Sequence, residues 1–146
     1  MKSGKIDSFL RSGEIQKRSK DLPRARSLVA SAERNASAAM EIELSDKSST
    51  LIFKELYDSI RQIGDAMWWI LGYRPGSHRA SMEIIKEDGE VSRKVALESL
   101  PRFKRIRNDS EYTGYKVTVA QAEEIISFWK KEGKELLNWM KSRISQ

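Results

Sequence analysis

Apolar residues recur along this chain in steps of three and four, the spacing that gathers them on one face of an α-helix. Leu22, Ala25, Leu28, Val29, Ala32, Ala36, Ala39 and Met40 form a narrow, alanine-rich stripe that another helix can approach closely. Asp21 is placed to accept from the first-turn amides and Pro23 lies where no amide partner is needed, so this helix is expected to run from about Asp21 to Leu44. The next stripe is the most hydrophobic: Ile52, Phe53, Leu56, Tyr57, Ile60, Ile63, Gly64, Met67, Trp68 and Leu71, closed by Gly72 as a cap and by Pro75. Gly76 and Ser77 open a shorter helix through Lys86, and Asp88-Gly89 reads as a turn. Residues 91–100 read as a short helix that Pro101 interrupts or restarts. Thr118 with Gln121 is a capping box for a last helix whose core stripe is Ala122, Ile125, Ile126, Trp129, Gly133, Leu136, Leu137, Met140 and Ile144.

The pattern predicts an all-α fold, a four- to five-helix up-and-down bundle with short connections over residues 21–146. Residues 1–20, with Ile6, Phe9 and Leu10 as their apolar group, are expected to form an arm or short helix before it. Tyr115 to Thr118 alternates but is too short to count, so no strand is expected.

Four aromatic side chains fall off the core stripes. At about 100° per residue, Trp69 points away from its helix's apolar face, beside Gln62, Asp65 and Tyr73. Phe128, Glu132, Glu135 and Trp139 make a second stripe on the last helix. Outward aromatics favour a contact surface, and Trp69, Tyr73, Phe128 and Trp139 are therefore expected to form a homodimer interface.

Composition narrows the chemistry. With 146 residues, 39% hydrophobic and 33% charged, the chain suits one folded domain. It has no cysteine, which excludes disulfides, thiolate metal sites and cysteine nucleophiles, and His78 is its one histidine. Neither a glycine-rich phosphate loop nor a dinucleotide fingerprint is present, and no cofactor or metal is expected. No apolar run reaches the roughly 18 residues of a membrane span, and Met1 to Leu10 lacks the apolar core of a signal peptide. A cytoplasmic protein without a membrane role is the expectation. The formal charge of +6 favours an acidic partner such as nucleic acid or a nucleotide.

Residues 102–115 concentrate the candidate chemistry. Arg102, Lys104, Arg105 and Arg107 place four cations in six residues, with Phe103 and Ile106 as inward anchors. Guanidinium groups suit phosphate because they stay charged and bind two oxygens at once. The competing reading is a solvated face with salt bridges, such as Arg107 to Glu111. Asn108, Tyr112 and Tyr115 add an amide and two phenols, completing an RNA- or nucleotide-binding set of Arg102, Lys104, Arg105, Arg107, Asn108, Tyr112 and Tyr115. Arg107 and Tyr112, five residues apart, lie about 140° apart on an ideal helix. They can share a face only if the helix breaks between them or a second chain supplies one.

Arg107-Asn108, Tyr112 and Gly114-Tyr115, placed just before a capped final helix, resemble the HEPN family (higher eukaryotes and prokaryotes nucleotide-binding). Its mark is an arginine, a polar residue and, after a short spacing, a histidine. The resemblance extends over about residues 20–145, including the aromatic-rich second helix that ends in Gly72-Tyr73. It implies a helical bundle, commonly a homodimer, whose nuclease members cut RNA without metal using the arginine and histidine. Many members are toxins paired with a small nucleotidyltransferase. Arg107 matches the arginine and Asn108 its follower, whereas Tyr112 stands at the histidine position. A phenol with an ordinary pKa near 10 is a poor proton carrier at neutral pH. The reading is therefore a nucleotide- or RNA-binding or nucleotidyltransferase-partner module of a toxin–antitoxin type, with weak or no nuclease activity. Two alternatives stand beside it: a metal-independent ribonuclease using Arg107 with Tyr112 or His78, and a purely structural helical module.

Overall fold

The computed structural model describes residues 1 and 3–146, and all structural statements concern these. The fold is all-α. Its helices are α1 (Ser3–Ser12), α2 (Leu22–Met40), α3 (Ser49–Leu71), α4 (His78–Glu87), α5 (Gly89–Lys94), α6 (Leu100–Thr113) and α7 (Val119–Ile144). Seven described helices exceed the expected four or five because α1 and the one-turn α5 count separately. None is long and apolar enough to cross a membrane.

Three long helices carry the core. α3 packs against both α2 and α7, and α2 also meets α7. The alanine stripe of α2 is buried at Ala25, Ala32, Ala36 and Ala39, with Val29 among them, so small side chains bring its backbone close to its neighbours. Asp21 accepts the Arg24 amide, as its position suggested. The helix stops at Met40 rather than Leu44, because residues 45–48 fold on themselves. There Ser48 Oγ accepts the Ser45 amide at 2.9 Å and donates to the Glu43 carbonyl at 2.6 Å. Gly72 caps α3 at φ 92°. The Thr118–Gln121 capping box is formed at the start of α7.

Two short strands, β1 (Ile15–Lys17) and β2 (Tyr73–Pro75), were not expected. They pair antiparallel with Ile15 opposite Pro75, Gln16 opposite Arg74 and Lys17 opposite Tyr73. Three-residue strands show no readable period, and the partners Ile15 and Pro75 lie 60 positions apart in the chain. They bind the N-terminal segment to the domain: Ile15 and Phe9 are buried, and Phe9 meets Trp68 edge-on at 5.9 Å. The expected short helix is α1, and residues 3–20 pack into the bundle rather than standing beside it as an arm.

The same segment corrects the reading of Trp69, which is buried. The Asp21 amide donates to its carbonyl, and the Arg24 guanidinium lies 4.4 Å over its ring. Tyr73 is half-buried in β2 with Lys17 over its ring. Phe128 and Trp139 are buried as well, beneath the 89–103 segment, and Phe128 meets Phe103 at 5.5 Å. Trp129, expected in the core, is half-buried over Gly133. None of the four off-stripe aromatics is an exposed contact surface, so exposure gives no argument for a homodimer.

α3 and α4 approach each other closely at Gly64, where a Cβ would strike the backbone carbonyl of Ser81. Backbone cannot yield as a side-chain tip would. Gly64→Ala is therefore expected to cost about 1–3 kcal/mol through overpacking, despite alanine's better helix propensity. Urea unfolding measures this, and an unchanged or higher midpoint would refute the close approach.

Candidate functional site

α6 follows a non-helical link, residues 95–99, and restarts with Pro101 in its first turn, where the missing amide costs nothing. It runs unbroken through Thr113 and ends at Gly114, φ 70°. The break between Arg107 and Tyr112 that would let them share a face does not occur. Arg107 is buried, whereas Tyr112 is 83% exposed. The arginine and the residue at the histidine position are not brought together within one chain.

The four cations of the basic run meet different fates. Arg102 is exposed and forks onto Glu124, with Nε at 2.9 Å and Nη2 at 3.3 Å. Arg107 turns inward, with Nη1 on Glu111 and Nε 4.0 Å from Asp58. That Nε is buried and makes no hydrogen bond. Lys104 and Arg105 make no ion pair among the described residues and border a groove of about 240 Å³ with Asn108. Arg79, Glu83 and Lys86 of α4 line its other side. Tyr115 is partly exposed beyond the end of α6 and is not part of this groove.

Arg107 instead joins a cluster at the seam of α3, α4 and α6. Tyr57 and His78 meet there, phenol oxygen to Nδ1 at 3.4 Å. Arg61 binds Asp65 at 2.9 Å and lies 3.8 Å from Asp58, and Ser81 donates to Asp65. Burial pushes the Tyr57 phenol far above its ordinary range, so it stays protonated. Burial, reinforced by the Arg61 charge, holds His78 below its ordinary 6.5. With both rings neutral, a phenol O–H donating to Nδ1 leaves the imidazole N–H on Nε2. Burial raises Asp65 against the opposing Ser81 hydrogen bond, while the Arg107 hydrogen bond lowers Glu111.

His78, which had no companion in sequence, thus has Tyr57 as a neighbour and feels the charges of Arg107 and Glu111. Sequence reasoning missed Asp58, Arg61 and Asp65, although their spacing of three and four marks a polar line along α3. Tyr57 gave no such signal because it sits within the apolar stripe.

The arrangement holds a guanidinium between two carboxylates, so Arg107 offers phosphate little uncompensated charge. Cations without protein partners lie one turn back, at Lys104 and Arg105. No family model, curated protein or solved structure matches this chain.

His78 should leave a mark on stability. Between the unfolded pKa of about 6.5 and the lower folded value, the unfolded chain binds more protons, so stability rises with pH and falls on acidification. His78→Gln removes that contribution. Urea midpoints from pH ~7 to ~5 should fall less steeply in the variant than in the wild type. Parallel slopes would contradict the burial of His78.

Proposed function

We propose that this chain is a HEPN-type helical domain that binds RNA or a nucleotide by its phosphates and has weak or no nuclease activity. The observation that carries the reading is the groove between α4 and α6, where Lys104 and Arg105 stand without ion-pair partners and Asn108 adds an amide. Ammonium and guanidinium groups not neutralised by the protein are those that gain most from a phosphate. Arg102, engaged by Glu124, and Arg107, engaged by Glu111 and Asp58, contribute less. A homodimer, a small nucleotidyltransferase partner, a toxin–antitoxin setting and a cytoplasmic location belong to this reading through the family resemblance and the sequence alone.

Single-stranded RNA titrations at several salt concentrations test it. Charge reversal at Lys104 and Arg105 is expected to lower affinity and flatten the salt dependence by about 0.7 in log–log slope for each phosphate no longer neutralised. An unchanged slope would remove the groove from the argument. Arg102→Glu is expected to have the smaller effect, since its charge is already matched.

One observation favours the enzyme alternative: His78, beside Tyr57, lies in the electrostatic neighbourhood of Arg107. A metal-independent ribonuclease on this chain would use His78 as the proton carrier rather than Tyr112. General acid–base groups contribute about a hundred- to ten-thousandfold. The expected result in EDTA is no more than trace cleavage by the wild type, and none gained in Tyr112→His, because residue 112 faces away from Arg107. Robust wild-type cleavage yielding 2′,3′-cyclic phosphate ends, lost in His78→Ala and kept in Tyr112→Phe, would establish the enzyme instead.

A further inference from the structure

The second stripe of α7 carries a residue that neither the fold nor the proposed RNA surface explains. Glu132 is 5% exposed and makes no hydrogen bond or ion pair among the described residues. Its side chain is almost wholly covered and its carboxylate reaches solvent only through a small opening, so an unpaired charge there gains from a cation that takes the place of that water. Glu132 lines a groove of about 530 Å³ between residues 96–103 and α7, within the size range of small-ligand clefts.

The rest of the groove has matching chemistry. Its lining holds four carboxylates, Glu98, Glu123, Glu124 and Glu132, against the cations Arg102 and Lys131. Arg102 is already committed to Glu124. Phe103 and Phe128 line the same groove, and aromatic rings receive cations over their faces or pack the methylenes of a basic side chain. Among the described residues no three carboxylates or histidines are grouped so as to hold a metal ion. The favoured ligand is therefore an extended organic cation with an apolar stem.

The geometry points to this groove as a binding site for an alkylguanidinium or alkylammonium group, presented as an arginine or lysine side chain by a partner polypeptide. Glu132 is the buried counter-ion, Phe103 and Phe128 take the stem, and Glu98 and Glu123 draw basic residues to the rim. The site shares no lining residue with the groove of Lys104 and Arg105, so it does not depend on the RNA reading.

The test is amide-resolved NMR on the full chain, titrated separately with agmatine and with a short peptide carrying one arginine among neutral residues. Saturable shifts are expected at Ser99, Ser127 and Glu132, tighter for the peptide than for agmatine. Glu132→Gln, close to isosteric, should weaken peptide binding at least tenfold, and Glu98→Gln only slightly. Should Glu132→Gln lose its dispersed spectrum, Glu132→Asp, which keeps the charge but withdraws it, should still weaken binding severalfold. Absence of saturable shifts with either probe, or equal peptide affinity without the Glu132 charge, overturns the site. Agmatine binding as tightly as the peptide overturns the polypeptide partner and assigns the groove to small amines.

Discussion

A helix buried over most of its length leaves few of its polar side chains to water, and the pairing this favours along α3 shapes this molecule. Its outer line, Asp58, Arg61 and Asp65, lies beside α4 and α6, with Asp65 buried and Asp58 and Arg61 partly exposed, and it pairs within itself and with Ser81 and Arg107. Gly64 permits the close approach that makes this possible, by leaving room for the Ser81 backbone. Trp68, deeper in the same helix, donates its indole N–H to the Ala80 carbonyl at 2.9 Å. The start of α4, with His78 at its first position, is fixed by the same hydrogen bond, and the Tyr57–His78 pair follows from it.

Buried ion pairs of this kind are weak evidence of stability, because desolvation offsets much of their attraction. Their effect is on specificity of packing: α6 cannot rotate about its axis without stranding Arg107 away from Asp58 of α3. That orientation decides which of its neighbours reach solvent. Fixing Arg107 inward turns Lys104 and Arg105 toward α4 and solvent, and Arg102 toward α7.

Local signals were legible and distant ones were not. The Asp21 cap, the Gly72 terminus and the Thr118–Gln121 box each depend on residues within one turn, and each is found where the sequence put it. Trp69, Phe128 and Trp139 were misplaced because helical angle says only which way a side chain leaves its own helix. What lies there depends on the N-terminal segment and on residues 89–103, which come from elsewhere in the chain. Arg107 was misjudged for the same reason: its burial needs Asp58, forty-nine positions earlier. The spacing of Asp58, Arg61 and Asp65 was readable as a polar line, but not that two further helices would lie beside it.

The basic run of α6 therefore cannot be treated as one patch. Residues two apart on a helix point about 200° apart, so Arg102 and Lys104 leave the axis on opposite flanks. Lys104 borders a cationic groove together with Arg105, while Arg102 sits among the carboxylates of α7 and is matched by Glu124. Between them Arg107 points inward. A formal charge of +6 says nothing of this division. One helix separates surfaces of opposite sign, so an acidic ligand and a basic one could be held at once without competing for the same side chains.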